Sequence, residues 1–397
     1  MLTGKNVLLG VSGGIAAYKM ADVASKLVKL GADVHVIMTK NAEKIITKEA
    51  FEVLTKNRVY TDTFAENSFD AGFVPHINLA GNTDIMLIAP ATANIIGKIA
   101  NGIADDMLST TFLAATCQVM VAPAMNVYMY ENVSVQHNLD VLRERGIYVI
   151  EPDSGHLACG YDGKGKLPTP DALVEHIVHM IAYEKDMVGK KVLVTAGPTE
   201  EALDPVRFIT NHSSGKMGYA LANVASMRGA EVTLVSGPTV LDTPLGVKRV
   251  DVKSAEEMYQ AVMKEADSTD IFVMSAAVAD YTPAVVADNK IKKQDGDMSI
   301  PLNRTKDILK SIGERKREGQ FICGFSMETE NLLENSRKKL ESKNADMICA
   351  NSLTEEGAGY KVDTNIVTII TKDAEKKLPL MSKTDVAVRI FDEIMGK

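Results

Sequence analysis

The chain begins twice. Gly4-Lys5-Asn6-Val7-Leu8-Leu9-Gly10-Val11-Ser12-Gly13-Gly14 finds its counterpart in Gly189-Lys190-Lys191-Val192-Leu193-Val194-Thr195-Ala196-Gly197-Pro198-Thr199, 185 residues further on. In each copy a Gly-Lys turn feeds a short apolar run that ends in a glycine-bearing loop before an amphipathic segment. That order suits the first strand, anion-type loop and first helix of a parallel α/β unit. The spacing exceeds any solenoid repeat, so the sequence predicts an α/β protein of two tandem Rossmann-like domains with mainly parallel sheets, 1–187 and 188–397. At 397 residues each half can bury its own core. Glu184 to Val188, charged and short, reads as a linker after a closing helix over Asp171 to Tyr183.

A net charge of −8 provides no global positive field to gather nucleic acid, and no apolar run approaches the roughly 20 residues of a membrane span. Met1 to Lys5 lacks a signal-peptide pattern, so a cytoplasmic protein with neither nucleic-acid nor membrane partners is expected. Four cysteines without metal spacing fit a reducing compartment, and the sequence designates no metal ligands. Cys117, Cys323 and Cys349 lie in or beside apolar runs and read as buried small hydrophobes. Cys159 lies in Gly155-His156-Leu157-Ala158-Cys159-Gly160-Tyr161-Asp162-Gly163-Lys164-Gly165, whose glycines predict an irregular, mobile flap.

In the first half, strands are expected at Val7–Val11, Asp33–Met38, Asp84–Ala89 and Gln118–Ala122, with a helix from Ile15 to Leu30. Ligands of open α/β sheets gather at strand C-termini, so Ser12, Gly13, Gly14, Thr39, Thr92 and Asn94 are candidate cofactor contacts, with Ser109 beyond them. Read singly, each candidate has a plainer alternative. His76 suits an exposed loop histidine after Pro75, Asn126 a turn or helix cap, and Met125 and Met129 core positions, Met129 above all if its segment is helical.

Taken in order, Ser12-Gly13-Gly14-Ile15-Ala16, His76, Pro123-Ala124-Met125-Asn126 with Met129, and Ala158-Cys159-Gly160 resemble the flavin-dependent cysteine decarboxylases, the group that includes phosphopantothenoylcysteine decarboxylase. The resemblance implies FMN in the crevice and a trimer-based assembly. It further implies His76 as base or electrostatic partner of the oxidative step, Asn126 as ligand of the substrate carboxylate, Cys159 as acid of the reductive step, and Met129 and Ala158 against substrate. A carboxylate on an amide-bearing carbon leaves only when the neighbouring CH2-SH has been oxidised to a thioaldehyde; a flavin accepts that hydride and later returns it, with no net redox.

The second half repeats the strand, loop and helix alternation, with Asn211-His212-Ser213-Ser214-Gly215 opening a helix over Tyr219 to Met227. Lys290-Ile291-Lys292-Lys293, as a bare charge run, reads as a solvated loop. Gly197-Pro198-Thr199, Asn211 to Gly215, Ser275-Ala276-Ala277-Val278-Ala279-Asp280-Tyr281 and Lys290 to Lys293 together are similar to the phosphopantothenate-cysteine ligases, and the tandem order resembles the bacterial bifunctional enzymes of coenzyme A biosynthesis. This implies ligation of cysteine to 4'-phosphopantothenate through an acyl-nucleotide made from CTP with Mg2+ or Mn2+, in ligase dimers. Lys290 would meet the charge that builds on the α-phosphate and Asn211 the acyl intermediate. By resemblance Ser275, Ala276, Asp280, Asp307, Ile308, Leu309, Phe325, Lys339 and Lys343 would hold nucleotide; Lys306 stands where the family's proline is expected.

A flavin-binding regulatory protein of the same fold would be expected to lack Cys159 or His76, and both are present. A double Rossmann dehydrogenase would want GxGxxG and an acidic residue after the second strand, where the chain has Ser12-Gly13-Gly14 and Met38-Thr39-Lys40.

Overall fold

The computed structural model describes residues 1–64, 74–158, 160–293, 298–328, 331–352, 359 and 362–397. They form two compact units, Met1–Tyr183 and Glu184–Lys397.

In the first unit β1 (Asn6–Val11) passes through a 3₁₀ turn, Ile15–Lys19, into α1 (Met20–Lys29), then β2 (Asp33–Met38), α2 (Lys48–Thr55), β3 (Val59–Tyr60) and α3 (Pro75–Gly81). There follow β4 (Ile85–Ala91), α4 (Ala93–Ala100), α5 (Met107–Ala114), β5 (Gln118–Pro123), α6 (Val127–Glu131), α7 (Val133–Glu144) and β6 (Tyr148–Val149). The hairpin β7 (Asp153–His156) and β8 (Asp162–Lys166) and the closing helix α8 (Pro170–Ile181) complete it. Six strands lie parallel in the order β3-β2-β1-β4-β5-β6. β1 reads as one apolar run because helices cover both faces: Val7, Leu9 and Val11 pack with Leu27 and Leu173, while Leu8 packs on the other side with Ile88 and Leu108.

The second unit contains β9 (Lys191–Ala196), the hairpin β10 (Glu200–Ala202) and β11 (Phe208–Thr210), α9 (Lys216–Met227), β12 (Glu231–Ser236), β13 (Val247–Asp251), α10 (Ala255–Glu265) and β14 (Ile271–Met274). Next come the hairpin β15 (Tyr281–Pro283) and β16 (Leu302–Arg304), α11 (Ile308–Glu314), β17 (Phe321–Glu328), α12 (Leu332–Ser342) and β18 (Met347–Ser352). Short β19 (Thr364–Asn365), β20 (Val367–Thr371), β21 (Glu375–Lys377), short β22 (Met381–Ser382) and α13 (Lys383–Ile394) end the chain. The main sheet runs β13-β12-β9-β14-β17-β18-β20-β21, parallel as far as β18 and antiparallel beyond. In both units strand order reverses beside the first strand, between β1 and β4 and between β9 and β14, which opens a crevice at the strand C-termini.

Three local expectations change. The expected linker is packed structure of the second unit: Met187 is fully buried, and the Arg228 guanidinium donates from Nε to Asp186 Oδ1 at 2.9 Å and from Nη1 to Asp392 Oδ1 at 2.9 Å, tying α13 to the unit's first residues. Cys323 and Cys349 are buried as expected, with sulfurs 3.7 Å apart, but Cys117 at the edge of β5 is only half-buried. Within the glycine-rich stretch, expected to be irregular, Gly155-His156 and Asp162 to Gly165 are regular and belong to the β7–β8 antiparallel hairpin.

Candidate active sites

At the first crevice Ser12 fastens the switch point from behind. Its buried hydroxyl donates to Pro90 O at 2.7 Å and accepts the Thr92 N–H at 3.1 Å. Thr92 in turn caps α4 by accepting from Ile95 N. Gly13 has no room for a side chain, since a Cβ there would overlap Asn41 in the loop after β2.

The cavity beside this point measures about 740 Å3 and is walled by Gly14, Ile15, Ala16, Thr92, Ala124 to Asn126, Met129, His156 to Ala158 and Gly165 to Leu167. Among the expected residues it brings together Gly14, Thr92, Asn126, Met129 and Ala158, and it adds Lys19, His156 and Lys166. Neither Lys19 nor Lys166 carries a local signal in the sequence. Ser12, Gly13, Thr39 and Asn94 stand outside the wall, and Thr39 Oγ1 is engaged by the Ala42 N–H. Ser109 is fully buried in a capping box with Asp106, which occupies its N–H at 2.8 Å and its hydroxyl at 2.9 Å. Cys159 lies outside the described residues.

Asn126 is a helix cap and a cavity residue at once: its Oδ1 accepts the Tyr128 N–H at 2.9 Å at the start of α6, which fixes the plane of the amide. Met129 corrects the core reading, for α6 is helical yet leaves Met129 48% exposed on the cavity. His76 occupies the first turn of α3 rather than a loop, does not line the cavity, and has a buried Nδ1 with no hydrogen-bond partner among the described residues. An orphaned buried imidazole nitrogen is costly unless a further group reaches it.

The hairpin's glycines serve close approach rather than disorder. A Cβ at Gly165 would overlap Met125 O, and one at Gly163 would stand 2.7 Å from Val127 Cγ2. β8 can therefore lie flat on the Pro123–Asn126 turn, where Gly165 O accepts the Met125 N–H at 3.0 Å.

In the second unit two cavities share a wall of Ala276, Val278, Asp280, Phe325 and Lys339. The larger, about 830 Å3, gathers Asp280, Asp307, Ile308, Leu309, Phe325, Lys339 and Lys343 of the expected set, together with Arg304, Lys306, Lys310 and Lys338. The smaller, about 380 Å3, holds Asn211, Ser275 and Ala276 with Ser213 to Gly218, Asn351, Asn365 and Lys383.

Lys339 Nζ donates to Phe325 O at 2.9 Å, and Lys343 pairs with Asp307, which also caps α11 through the Lys310 N–H at 2.9 Å. Burial works to raise the Asp307 pKa, but Lys343 and the Lys310 amide outweigh it and hold the carboxyl below its ordinary range. Asn211 Nδ2 donates to Ala277 O at 3.0 Å, and Ser275 Oγ to Thr195 O at 2.6 Å. Lys306, in the expected proline's place, pairs with Glu256 at 2.7 Å and stands 4.6 Å over the Tyr259 ring.

Lys383 was invisible in sequence because its role comes from the fold. Its side chain is 6% exposed, its Nζ donates to Gly359 O at 3.0 Å and to Val362 O, and burial followed by the nearby Lys216 charge lowers its pKa. Lys290 is exposed and lines neither cavity. Its neighbour Ile291 is anchored, donating its N–H to Asp204 Oδ2 at 3.0 Å and accepting from Arg207 at 2.7 Å, so the basic run is the solvated loop expected, tethered at one point.

Residues 1–182 match the Flavoprotein family and residues 187–397 the DNA/pantothenate metabolism flavoprotein C-terminal domain family. The coenzyme A biosynthesis bifunctional protein CoaBC of Bacillus subtilis (strain 168) is 52% identical over 99% of this chain and 97% of its own length. Its counterpart in Escherichia coli (strain K12) is 43% identical over 100% and 98%. Among solved structures, the C-terminal domain of a CoaBC protein covers 52% of this chain and 95% of its own, at 48% identity and a TM-score of 0.45. The FMN-dependent cysteine decarboxylase SpaF covers 45% and 98%, at 31% identity and a TM-score of 0.39. The two family models together span both units and the full-length relatives cover nearly the whole chain, and the chain belongs to the family of coenzyme A biosynthesis bifunctional proteins.

Proposed function

We propose that the second unit joins cysteine to 4'-phosphopantothenate and that the first decarboxylates the product to 4'-phosphopantetheine, two steps of coenzyme A assembly in one chain. The observation that carries this reading is the contrast of cavities at equivalent switch points. One is largely apolar with an oriented amide; the other is rimmed by Arg304, Lys306, Lys338, Lys339 and Lys343.

The first cavity suits FMN in size, within the roughly 300–1,000 Å3 of cofactor sites, and in chemistry. Gly14 and Thr92 at the turn into α4 would take the phosphate end, and Ile15, Ala16, Met129 and Leu157 would cover apolar ring surface. When bound, FMN supplies a reversible hydride acceptor. Asn126, whose oxygen is held in the α6 cap and which lines the cavity, is the residue assigned to the substrate carboxylate. Cys159 is the proton donor to the decarboxylated product.

His76 completes the site from a second copy. Its buried Nδ1 lacks a partner within the described chain, while Ile15 (64% exposed), Tyr18 (57%) and Tyr128 (65%) leave an apolar rim for another copy to cover. A trimeric first unit would meet that demand; the dimeric second unit and the cytoplasmic location are carried by the family resemblance alone.

In the second unit a carboxylate must be activated before an amine can displace anything from it. Attack on the CTP α-phosphate forms the acyl-nucleotide and releases pyrophosphate, and the cysteine amine then releases CMP. Lys339 and Lys343 neutralise phosphate charge and Mg2+ travels with the triphosphate. Asn211 is assigned to the acyl intermediate and Lys290, next to the tethered Ile291, to the charge that builds on the α-phosphate.

Purified protein given 4'-phosphopantothenate, cysteine, CTP and Mg2+ should yield 4'-phosphopantetheine, CO2, CMP and pyrophosphate in equal amounts by mass spectrometry. Absence of phosphopantothenoylcysteine and phosphopantetheine alike would overturn the reading.

A further inference from the structure

One carboxylate outside the cavity gathers three donors from three elements. Glu151, in the link between β6 and β7, accepts from Lys164 Nζ of β8 at 2.6 Å and from the Tyr130 hydroxyl of α6 at 3.1 Å on one oxygen, and from Arg143 of α7 at 2.7 Å on the other. Arg143 is itself steadied by Asp140 at 2.7 Å, and Lys164 Nζ stands 5.5 Å from the centre of the Tyr130 ring. Tyr130 is 5% exposed, so its hydroxyl is presented from a fixed body.

α6 is the helix that Asn126 caps, and it meets the hairpin at further points. Gly163 lies on Val127, and the Tyr128 and Tyr161 rings meet edge-on at 5.4 Å. The same hairpin supplies His156, Leu157, Ala158, Gly165 and Lys166 to the cavity wall. A two-stranded hairpin is marginal alone. Single exposed ion pairs are weak too, but several donors on one carboxylate fix a geometry that none of them would fix separately.

We infer that Glu151 is a positioning residue of the decarboxylase site: it locks the β7–β8 wall to the Asn126-capped helix, so that the substrate stays enclosed from loss of CO2 to return of the hydride. The inference rests on the functional reading above. CO2 leaves while the substrate is oxidised by two electrons, the enethiol left behind is still at that level, and one hydride with one proton restores the thiol. A loosened wall should therefore let the decarboxylated enethiol, two hydrogens lighter than the product, escape before reduction, leaving the flavin reduced.

The test uses Glu151→Ala, Lys164→Met and the conservative Lys164→Arg in the full chain, with two readouts. In flavin-free protein, hydrogen exchange at the Met125 amide, bonded to Gly165 O, should quicken about tenfold in Glu151→Ala and Lys164→Met and stay near wild type in Lys164→Arg. In flavin-loaded protein given phosphopantothenoylcysteine, the first two should release enethiol at several times the wild-type share of product, and Lys164→Arg should not. Unchanged exchange in both disruptive variants would overturn the inference, as would faster exchange without enethiol release, or an equal fall of CO2 and product with no enethiol. Failure of wild-type protein to decarboxylate at all would instead overturn the functional reading, while the exchange data would still report the lock.

Discussion

The two main cavities occupy equivalent places on similar sheets and share little chemistry. Beside β1 and β4 the wall is Ile15, Ala16, Met125, Met129 and Leu157 with few charges; beside β9 and β14 it is a rim of Arg304, Lys306, Lys310, Lys338, Lys339 and Lys343 against Asp280 and Asp307. The sheet determines where a ligand sits, and the loops and helices after the strands determine which ligand is tolerated. A flat, largely apolar ring needs area and a few placed donors, whereas a triphosphate needs opposing charge.

The sharpest way to break the contrast is Asn126→Asp. Aspartate caps a helix as well as asparagine, so α6 should persist, but the donor becomes a carboxylate facing the substrate's own. CO2 release should fall by roughly 10²–10³-fold with ligation unchanged, read in separate assays of each half-reaction. Lys339→Met removes one cation from the second cavity and should weaken CTP binding about 10–100-fold by calorimetry while leaving FMN content as in wild type.

The units also close differently. Arg228 holds the Asp186 carboxyl down to about 2. A depressed carboxyl contributes stability that is present above its unfolded value near 4 and is lost as pH falls from there through about 2. Asp186→Asn should therefore lower the unfolding free energy of the second unit, measured by urea titration, by about 1 kcal/mol at pH 7, after solvent screening, and by nothing below pH 2. In the first unit Lys26 pairs with Asp171 at 2.8 Å, but Asp171 is 81% exposed, and Asp171→Asn should leave the unfolding midpoint where it was.

The parallel frames were legible because buried strands announce themselves. β2 begins and ends where Asp33–Met38 was expected, and the reversed strand order fits the two α/β starts. The hairpins were not legible, since β10, β11, β15 and β16 are three residues each and carry no apolar alternation. The β7–β8 glycines look like disorder in sequence because their reason, the backbone of Met125 and the side chain of Val127, lies some 40 residues upstream. At the sites, Asn126 was legible by its motif, though both alternatives hold, since it is a cap and a cavity residue. Lys383 and Lys216 escaped because the buried environment of the smaller cavity is assembled from α9, α13 and β18. The first turn after β1 is 3₁₀ rather than α, a detail that helical spacing cannot distinguish over five residues.

The central claim is that one chain carries two independent chemistries, and it is tested most directly by disabling one cavity at a time. Asn126→Asp protein supplied with 4'-phosphopantothenate, cysteine, CTP and Mg2+ should accumulate phosphopantothenoylcysteine. Lys339→Met protein should be slow from the same mixture at low CTP yet decarboxylate added phosphopantothenoylcysteine at the wild-type rate. If Asn126→Asp abolished ligation as well, or Lys339→Met slowed decarboxylation of added substrate to the same degree as ligation, the assignment of one reaction to each cavity would be contradicted.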